Sequence, residues 1–256
     1  MYLCIRKRMK HMILIIPDVH GRLFWKKAVE TGDYEKVVFL GDYVDPYELE
    51  GITDEEALEN FEAIIAYKRQ NPDKVVLLLG NHDLHYYSDI YRDMAQGSRY
   101  SSETAITLER LFQDNKPLFQ LVWETDLGDR HYLFSHAGVT QSWLRRNLKT
   151  VKVPDAQHLN HLPETRAGLK TLAQVGEMRW GRFPTGSIVW ADSDELLDSD
   201  PLPNTYQIVG HTLQLDGPII NDKFACLDCM AAFSLDQQGD IKPVTEMPSV
   251  CDIFFF

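Results

Sequence analysis

Five short apolar runs in this chain each end abruptly at an Asp, Asn or His, usually beside a glycine. The runs are rich in aliphatic and β-branched residues, as in strands that are buried on both faces of a sheet. They lead, in order, into Asp18-Val19-His20-Gly21, Gly41-Asp42-Tyr43-Val44-Asp45, Gly80-Asn81-His82-Asp83, His136-Ala137-Gly138 and Gly210-His211-Thr212. In α/β sheets, ligands bind in the crevice beyond the carboxyl ends of the strands, so we expect these polar side chains to converge on one site.

The chain as a whole alternates between strand and helix patterns, which predicts an α/β fold. The predicted strands are 12–16, 36–40, 75–79, 131–135, 187–190, 206–209 and 223–228. Thr53-Asp54-Glu55-Glu56 has the pattern of a capping box and predicts a helix over about residues 54–70. Residues 119–126 and 131–135 predict a hairpin, and turns are expected at Asp216-Gly217 and Gln238-Gly239-Asp240.

The length of the chain, 256 residues, fits a single domain over residues 1–256. Two stretches, about 85–118 and 140–182, lack the pattern of buried strands. We interpret both as cap-like, helical or irregular elaborations over the site rather than as separate domains.

The composition narrows the classes of partner. The chain carries 26 Lys and Arg against 38 Asp and Glu, a formal net charge of −12. Such an acidic protein is disfavoured as a partner of nucleic-acid polymers or of anionic lipid. No apolar run reaches the length that spans a membrane. The basic opening, residues 1–11, precedes an apolar stretch too short for a secretory signal, which favours a cytoplasmic protein.

The cysteines fit the same interpretation. Cys4, Cys226, Cys229 and Cys251 do not form a disulfide framework in a chain of this length. Cys226 and Cys229 have a CxxC spacing but lie in a strand-like run without a second pair, so we expect reduced thiols. The terminal segment 251–256, which ends in three phenylalanines, is expected to pack on the domain.

Each of the five motifs alone has a structural explanation. An Asp can cap a turn or a helix, Gly-Asp is a common turn dipeptide, and a His after a strand is often a hydrogen-bonded structural residue. Four of the nine histidines, however, stand immediately beyond apolar runs, namely His20, His82, His136 and His211. We find no structural reason for that clustering, and five such motifs in this order predict a shared site with metal ligands.

In spelling and order, the five motifs resemble those of the calcineurin-like metallophosphoesterase superfamily. The second motif is similar to that of its phosphoprotein-phosphatase branch, which includes bacterial members. Two weaker matches, Trp190-Ala191-Asp192 and Leu227-Asp228, resemble later strands of that branch. The main motifs span residues 18 to 212, and the resemblance implies an α/β fold in which two β-sheets pack as a sandwich flanked by helices.

The resemblance also implies a site with two divalent metal ions. These would be bound by Asp18, His20 and Asp42 on one side and by Asn81, His136 and His211 on the other, with Asp42 bridging. Two such ions lower the pKa of a bound water and clamp the phosphoryl oxygens for in-line attack by a metal-bridging hydroxide. Mixed carboxylate, amide and imidazole donors suit manganese, our first choice, or iron or zinc.

His82 is the implied general acid, which protonates the leaving oxygen, and Asp45 would hold its imidazolium. Asp45 could instead be a turn or cap residue, since Pro46 follows it. Pro46 also stands where phosphoprotein phosphatases carry a phosphate-binding arginine, so another arginine must take that role. Arg179, Arg99 and Arg22 are the candidates, with a solvated position as the alternative for each. A surface or packing role is favoured for His85.

Three functions remain open. We expect hydrolysis of phosphomonoesters, with phosphoprotein serine or threonine as one class of phosphorylated substrate. A nucleotide hydrolase, such as a diadenosine polyphosphatase or a phosphodiesterase, would use the same ligands. In that case a base could stack on Tyr86, Tyr87, Tyr91 or Tyr100, although packing of these rings on the sheet is favoured. A non-catalytic scaffold of the same fold is the remote alternative, since His82 and every ligand position are retained.

Overall fold

The computed structural model describes residues 12–97, 99–148, 155–198 and 201–248. The basic residues 1–11 lie outside this part of the chain, and so does the segment 251–256, for which we predicted packing on the domain. Cys4 and Cys251 also lie outside it. Cys226 and Cys229 are buried free thiols, in agreement with the expectation of reduced cysteines.

Strands and helices alternate along most of the described chain. The strands are β1 (Ile13–Ile16), β2 (Lys36–Phe39), β3 (Val75–Leu78), β4 (Phe119–Gln120), β5 (Val122–Leu127), β6 (Arg130–Ser135), β7 (Tyr206–Val209), β8 (Ile219–Ile220), β9 (Phe224–Cys226), β10 (Phe233–Leu235) and β11 (Ile241–Pro243). The helices are α1 (Phe24–Ala28), α2 (Asp54–Gln70), α3 (Asn81–Tyr87), α4 (Asp89–Ala95), α5 (Ala105–Asn115), α6 (Gln141–Asn147), α7 (Ala156–Asn160), α8 (Arg166–Leu172) and α9 (Ser193–Asp198). No helix among the described residues is long and apolar enough to cross a lipid bilayer.

The strands form two sheets, as the resemblance implies. One sheet has the order β11-β10-β1-β2-β3-β4, and the other has the order β5-β6-β7-β9-β8. In the first, β1, β2 and β3 are parallel neighbours; in the second, β6, β7 and β9 are parallel neighbours. Three strands of each sheet therefore end in the same direction, and five of these six ends are the ones that the sequence analysis singled out.

Both faces of the central strands are buried. Ile15 and Val38 belong to a cluster between the sheets that also contains Phe134 of β6. Their neighbours in the chain, such as Leu14, belong to a second cluster beneath the helices. Because side chains alternate between the faces of a strand, burial on both sides requires the uninterrupted apolar runs seen in the sequence.

Several local predictions are confirmed. Thr53 and Glu56 form the capping box, with Thr53 Oγ1 accepting from the Glu56 N–H at 3.1 Å and Glu56 Oε2 accepting from the Thr53 N–H at 2.9 Å. The predicted hairpin exists as β5 and β6. Its first two predicted residues, 119–120, form β4 instead and pair with β3 of the other sheet.

The predicted strand at 187–190 is wrong. Its backbone forms a turn, in which the N–H groups of Trp190 and Ala191 both donate to the Ser187 carbonyl at 2.8 Å. Ile188 and Val189 are nonetheless fully buried. The apolar run therefore reflects burial alone, since a buried turn and a short buried strand have the same composition.

Two glycines allow the strand ends of the site to approach one another. A Cβ on Gly80 would lie 2.0 Å from Asp42 Oδ1, and a Cβ on Gly210 would lie 2.3 Å from Asp18 Oδ1. Each carboxylate occupies the space that a side chain at the glycine would fill. This close contact explains the glycines at these two positions.

We expect Gly80→Ala to displace the Asp42 carboxylate, because a Cβ at this distance overlaps the oxygen. The free energy of unfolding should fall by about 1–3 kcal/mol, and added manganese should raise the melting temperature of the variant less than that of the wild type. Gly51→Ala is the matched control, since Gly51 has a φ of +65° but no atom within 4 Å of the added Cβ. The control should lose about 1 kcal/mol of stability and respond to added manganese as the wild type does. An equal rise in melting temperature for both variants would contradict the prediction.

Candidate metal centre

Six side chains that the sequence predicted as ligands lie at the carboxyl ends of the parallel strands. Asp18 and His20 follow β1, and Asp42 follows β2. Asn81 begins α3 after β3, His136 follows β6, and His211 follows β7. All six are at least 90% buried. The convergence expected from strand order is therefore present in the fold.

Asp42 stands at the middle of this cluster. Its Oδ2 is 3.6 Å from His20 Nε2 on one side and 3.5 Å from His136 Nε2 on the other. Its Oδ1 accepts the backbone N–H of His82 at 2.9 Å, which fixes the carboxylate and directs Oδ2 to the two imidazoles. A single oxygen thus faces both halves of the cluster.

Two overlapping groups of donors surround Asp42. Asp18, His20 and Asp42 form one, and Asp42, His136 and His211 form the other, with the donor atoms of each group within 4.8 Å of one another. Asn81 joins the second group, because its Oδ1 is 2.9 Å from His136 Nε2. His136 Nε2 is also 3.0 Å from His211 Nδ1. The fold thus brings together donor atoms from residues that are far apart in the sequence.

Backbone carbonyls orient two of the imidazoles. The Nδ1 atom of His20 lies 2.8 Å from the Val44 carbonyl, and that of His136 lies 3.0 Å from the Leu40 carbonyl. Since a carbonyl only accepts, each Nδ1 carries the proton, and each Nε2 lone pair faces the cluster. A tautomer fixed in this way is typical of histidines that bind metal ions.

The ionisation of these groups is set mainly by burial. Burial raises the pKa of Asp18 to about 6 and that of Asp42 to about 8. Burial also lowers the pKa of His136, and it lowers those of His20 and His211 well below the usual value. Buried carboxylates without a cation are unfavourable, whereas neutral imidazoles are ready to donate a lone pair. The donors therefore fit a site for divalent cations.

Asp83 links the second and third motifs. Its carboxylate accepts the N–H groups of Gly80 at 2.7 Å, Asp42 at 2.8 Å and Tyr43 at 3.0 Å. Burial, followed by the nearby Asp42 charge, raises the pKa of Asp83 well above its usual value. Asp83 is thus a positioning residue for Asp42, and not a group that faces the cluster.

His82 and Asp45 form a close pair beside the cluster. His82 Nδ1 lies 2.7 Å from Asp45 Oδ2. Burial alone would raise the pKa of Asp45, but its contacts with His82 and His85 hold it at about 2. The pKa of His82 is lowered to about 4 by burial, which outweighs the opposite effect of Asp45. The alternative interpretation of Asp45 as a mere turn residue does not account for these contacts.

The three candidate arginines have different surroundings. Arg99 reaches the cluster, where its Nη2 lies 3.1 Å from His20 Nε2 and 3.4 Å from His82 Nε2. Its guanidinium lies 3.7 Å above the centre of the Tyr47 ring, and its Nε donates to the Asp45 carbonyl at 3.0 Å.

Arg179 and Arg22 are engaged by carboxylates. Arg179 pairs with Asp192 at 2.9 Å and donates to Thr212 Oγ1 at 2.8 Å, at the end of β7. Arg22 forms a two-pronged pair with Glu50, at 2.8 Å through Nε and 2.6 Å through Nη2. These contacts favour a structural role for Arg22, whereas Arg99 contacts imidazole nitrogens directly.

Sequence reasoning did not identify Asp228 or His85 as part of the site. Asp228 follows β9, the sixth parallel strand end; it is 2% exposed, and its Oδ1 has no hydrogen-bond partner among the described residues. Burial and the Asp18 charge raise its pKa well above the usual value. The apolar run that ends at Asp228 could have indicated this residue, but no glycine stands beside it as in the five main motifs.

His85, for which the sequence favoured a surface or packing role, is fully buried against Asp45.

The chain matches known proteins along most of its length. A family model of calcineurin-like phosphoesterases matches residues 11–215. A protein of Encephalitozoon cuniculi named as a probable serine/threonine-protein phosphatase is 24% identical over 191 residues, which are 73% of this chain and 35% of that protein. The catalytic subunit of serine/threonine-protein phosphatase 4 of Kluyveromyces lactis is 34% identical over 83 residues, 31% of this chain and 25% of that protein.

These relatives are much longer than the part that matches, since the chain spans about a third or less of their length. Among solved structures, a protein serine/threonine phosphatase from Saccharomyces cerevisiae has a TM-score of 0.52 at 17% sequence identity, covering 93% of this chain and 81% of that one. This likeness supports the two-sheet fold. With the family model matching most of the chain, the protein belongs to the calcineurin-like phosphoesterase family.

Proposed function

We propose that this chain is a two-metal phosphomonoesterase that acts on phosphorylated serine or threonine side chains by in-line attack of an activated water. The observation that carries the proposal is the position of Asp42 Oδ2, which lies 3.6 Å and 3.5 Å from the imidazoles of the two donor groups. One carboxylate shared by two donor groups is an arrangement that can hold a pair of neighbouring cations.

The donor set supports manganese, with iron or zinc as alternatives. Asp18, His20 and Asp42 would bind one ion, and Asn81, His136 and His211, together with Asp42, would bind the other. When bound, the ions lower the pKa of a water molecule and withdraw charge from the phosphoryl oxygens. Asn81 contributes an oxygen without a charge, so the two Asp carboxylates leave the centre cationic and attractive to a phosphate group.

His82 would donate a proton to the leaving oxygen through Nε2. Its Nδ1 is occupied by Asp45, so Nε2 is the nitrogen that remains for the substrate. The Arg99 charge contributes to lowering the pKa of His82, and a phosphate dianion bound between the two would oppose that effect. Protonation of His82 and binding of the substrate would thereby support each other.

Arg99 would take the place of the arginine that is missing at Pro46. Tyr47 follows Pro46 and provides the ring on which the Arg99 guanidinium stacks. The guanidinium has donors in a planar fork that suits phosphate oxygens. The segment after α4 therefore supplies the charge that the second motif lacks.

The nucleotide-hydrolase alternative receives less support. Tyr86 and Tyr91 are at most 1% exposed, and Tyr87 is 7% exposed, so these rings are packed in the core. Tyr100 stacks on Tyr86 with ring centres 5.0 Å apart. These contacts leave little free aromatic surface for a base.

Metal affinity should increase with pH. The raised pKa values of Asp18, about 6, and Asp42, about 8, mean that protons compete with cations for both carboxylates below these values. We expect the increase in melting temperature caused by manganese to be larger at about pH 8 than at about pH 6, measured on protein first stripped with a chelator. Asp129→Asn, on an exposed turn, should behave like the wild type. If the rise in melting temperature caused by manganese is the same at both pH values, or is smaller at the higher pH, the prediction is contradicted.

Turnover of a panel of esters tests the proposed function. With manganese, we expect hydrolysis of p-nitrophenyl phosphate and of a phosphoserine peptide, and much slower hydrolysis of bis-p-nitrophenyl phosphate and diadenosine tetraphosphate. His82→Asn should lower kcat for the phosphopeptide by about 10²–10⁴-fold while the metal content stays unchanged.

His158→Asn is the control for this variant, since His158 lies on the exposed side of α7, and it should retain full activity. Preferential cleavage of the dinucleotide would favour the nucleotide hydrolase. Unchanged turnover by His82→Asn would remove His82 from the reaction.

Substitution of Arg99 should weaken use of the phosphate group. We expect Arg99→Ala to lower kcat/KM for p-nitrophenyl phosphate by about 100-fold, as for loss of one charge-stabilising donor, and Arg99→Lys to recover part of this. Arg92→Ala is a matched control, because Arg92 also stacks on a tyrosine, Tyr100, at 5.7 Å but pairs with Glu109. If both alanine variants have the same kcat/KM, Arg99 does not bind phosphate.

A further inference from the structure

The Asp45 carboxylate contacts two histidines and a tyrosine. Asp45 Oδ2 lies 2.7 Å from His82 Nδ1 and 2.8 Å from His85 Nε2. The other oxygen, Oδ1, accepts the Tyr86 hydroxyl at 2.6 Å. His82 and His85 are three residues apart on α3, so they share a face of the helix. Asp45, from the loop after β2, lies between them.

The proton of His85 can be assigned from its other nitrogen. The backbone N–H of Gly97 donates to His85 Nδ1 at 3.0 Å, so Nδ1 is an acceptor. In the neutral ring the proton is then on Nε2, the nitrogen next to Asp45. His85 Nε2 lies 2.8 Å from Asp45 Oδ2 without hydrogen-bond geometry, and it has no hydrogen-bond partner among the described residues. A neutral His85 therefore presents a partial positive charge to Asp45.

The position of the His85 ring is closely defined by its neighbours. The ring is fully buried and lies edge to face against Tyr86, Tyr100 and His82, with ring centres 4.4, 5.1 and 5.5 Å apart. A Cβ on Gly97 would lie 3.0 Å from His85 Cε1 and 3.1 Å from His82 Cε1. The backbone at Gly97 thus packs against both imidazoles.

We propose that His85 is a positioning residue that holds the Asp45 carboxylate in contact with His82 Nδ1. This inference depends on the proposed role of His82 as the proton donor. Without His85, Asp45 Oδ2 loses its second contact and the His82 ring gains freedom to turn. The donor would then no longer be aimed consistently at the leaving oxygen. Binding of the phosphate group itself does not depend on His85.

A comparison of leaving groups tests this role. p-Nitrophenolate leaves readily without a proton, whereas phenolate needs one, so misplacement of the acid affects phenyl phosphate more. We expect His85→Leu to lower kcat for phenyl phosphate about tenfold more than kcat for p-nitrophenyl phosphate. His85→Gln, whose amide N–H can reach the position of Nε2, should restore most of the difference. Bound manganese should be equal in all of these proteins.

Equal losses on both esters would overturn the inference and indicate a general structural effect. If His85→Leu does not fold, His85→Asn replaces it, because its amide can satisfy the Gly97 N–H but is too short to reach Asp45. If His85→Asn has the same ratio of kcat for phenyl phosphate to kcat for p-nitrophenyl phosphate as the wild type, the inference is also overturned. A wild-type protein that hydrolyses neither ester with manganese would refute the proposed function itself, and this inference with it.

Discussion

The arrangement of the centre depends on the carboxylate of Asp83. By accepting N–H groups from Gly80, Asp42 and Tyr43, it holds the end of β2 against the start of α3. This contact places Asp42 so that one of its oxygens is used by the backbone and the other faces the histidines. Three hydrogen bonds from backbone N–H groups to one buried side chain hold it in a single position. A carboxyl group outside the cluster thus determines the position of the carboxylate at its middle.

Parallel strands in both sheets make the cluster possible. β1, β2 and β3 deliver groups from one sheet, while β6, β7 and β9 deliver groups from the other, and the packed sheets bring the two sets face to face. Rigid strand ends hold side chains more accurately than long loops do. Arg99 is an exception, since it lies between α4 and α5 and its guanidinium stacks on Tyr47. The donor atoms are therefore positioned by the strand ends, whereas the arginine that we propose to bind phosphate is positioned by a loop.

Local patterns predicted an α/β fold and converging strand ends, because buried parallel strands leave uninterrupted apolar runs in the sequence. The two-sheet arrangement and the set of six ligands were predicted from the resemblance of the motifs to a known family. The prediction from apolar runs failed at residues 187–190, where burial without strand pairing has the same composition as a strand. Asp228 was noted only as a weak motif match and not as a site residue, because its strand end lacks a glycine. His85 was not assigned to the site because its contact with Asp45 joins two distant motifs. The choice among Arg22, Arg99 and Arg179 depends on which carboxylates pair with them, and such pairing is a property of the tertiary structure.

Four residues of the centre have left-handed backbone conformations, with φ values of 44° at His20, 51° at Asp42, 60° at Asp45 and 67° at His211. For side-chain-bearing residues this conformation costs about 1–2 kcal/mol each, and glycine would avoid that cost. An aspartate or histidine at all four positions therefore places chemically useful side chains where folding free energy alone would favour glycine.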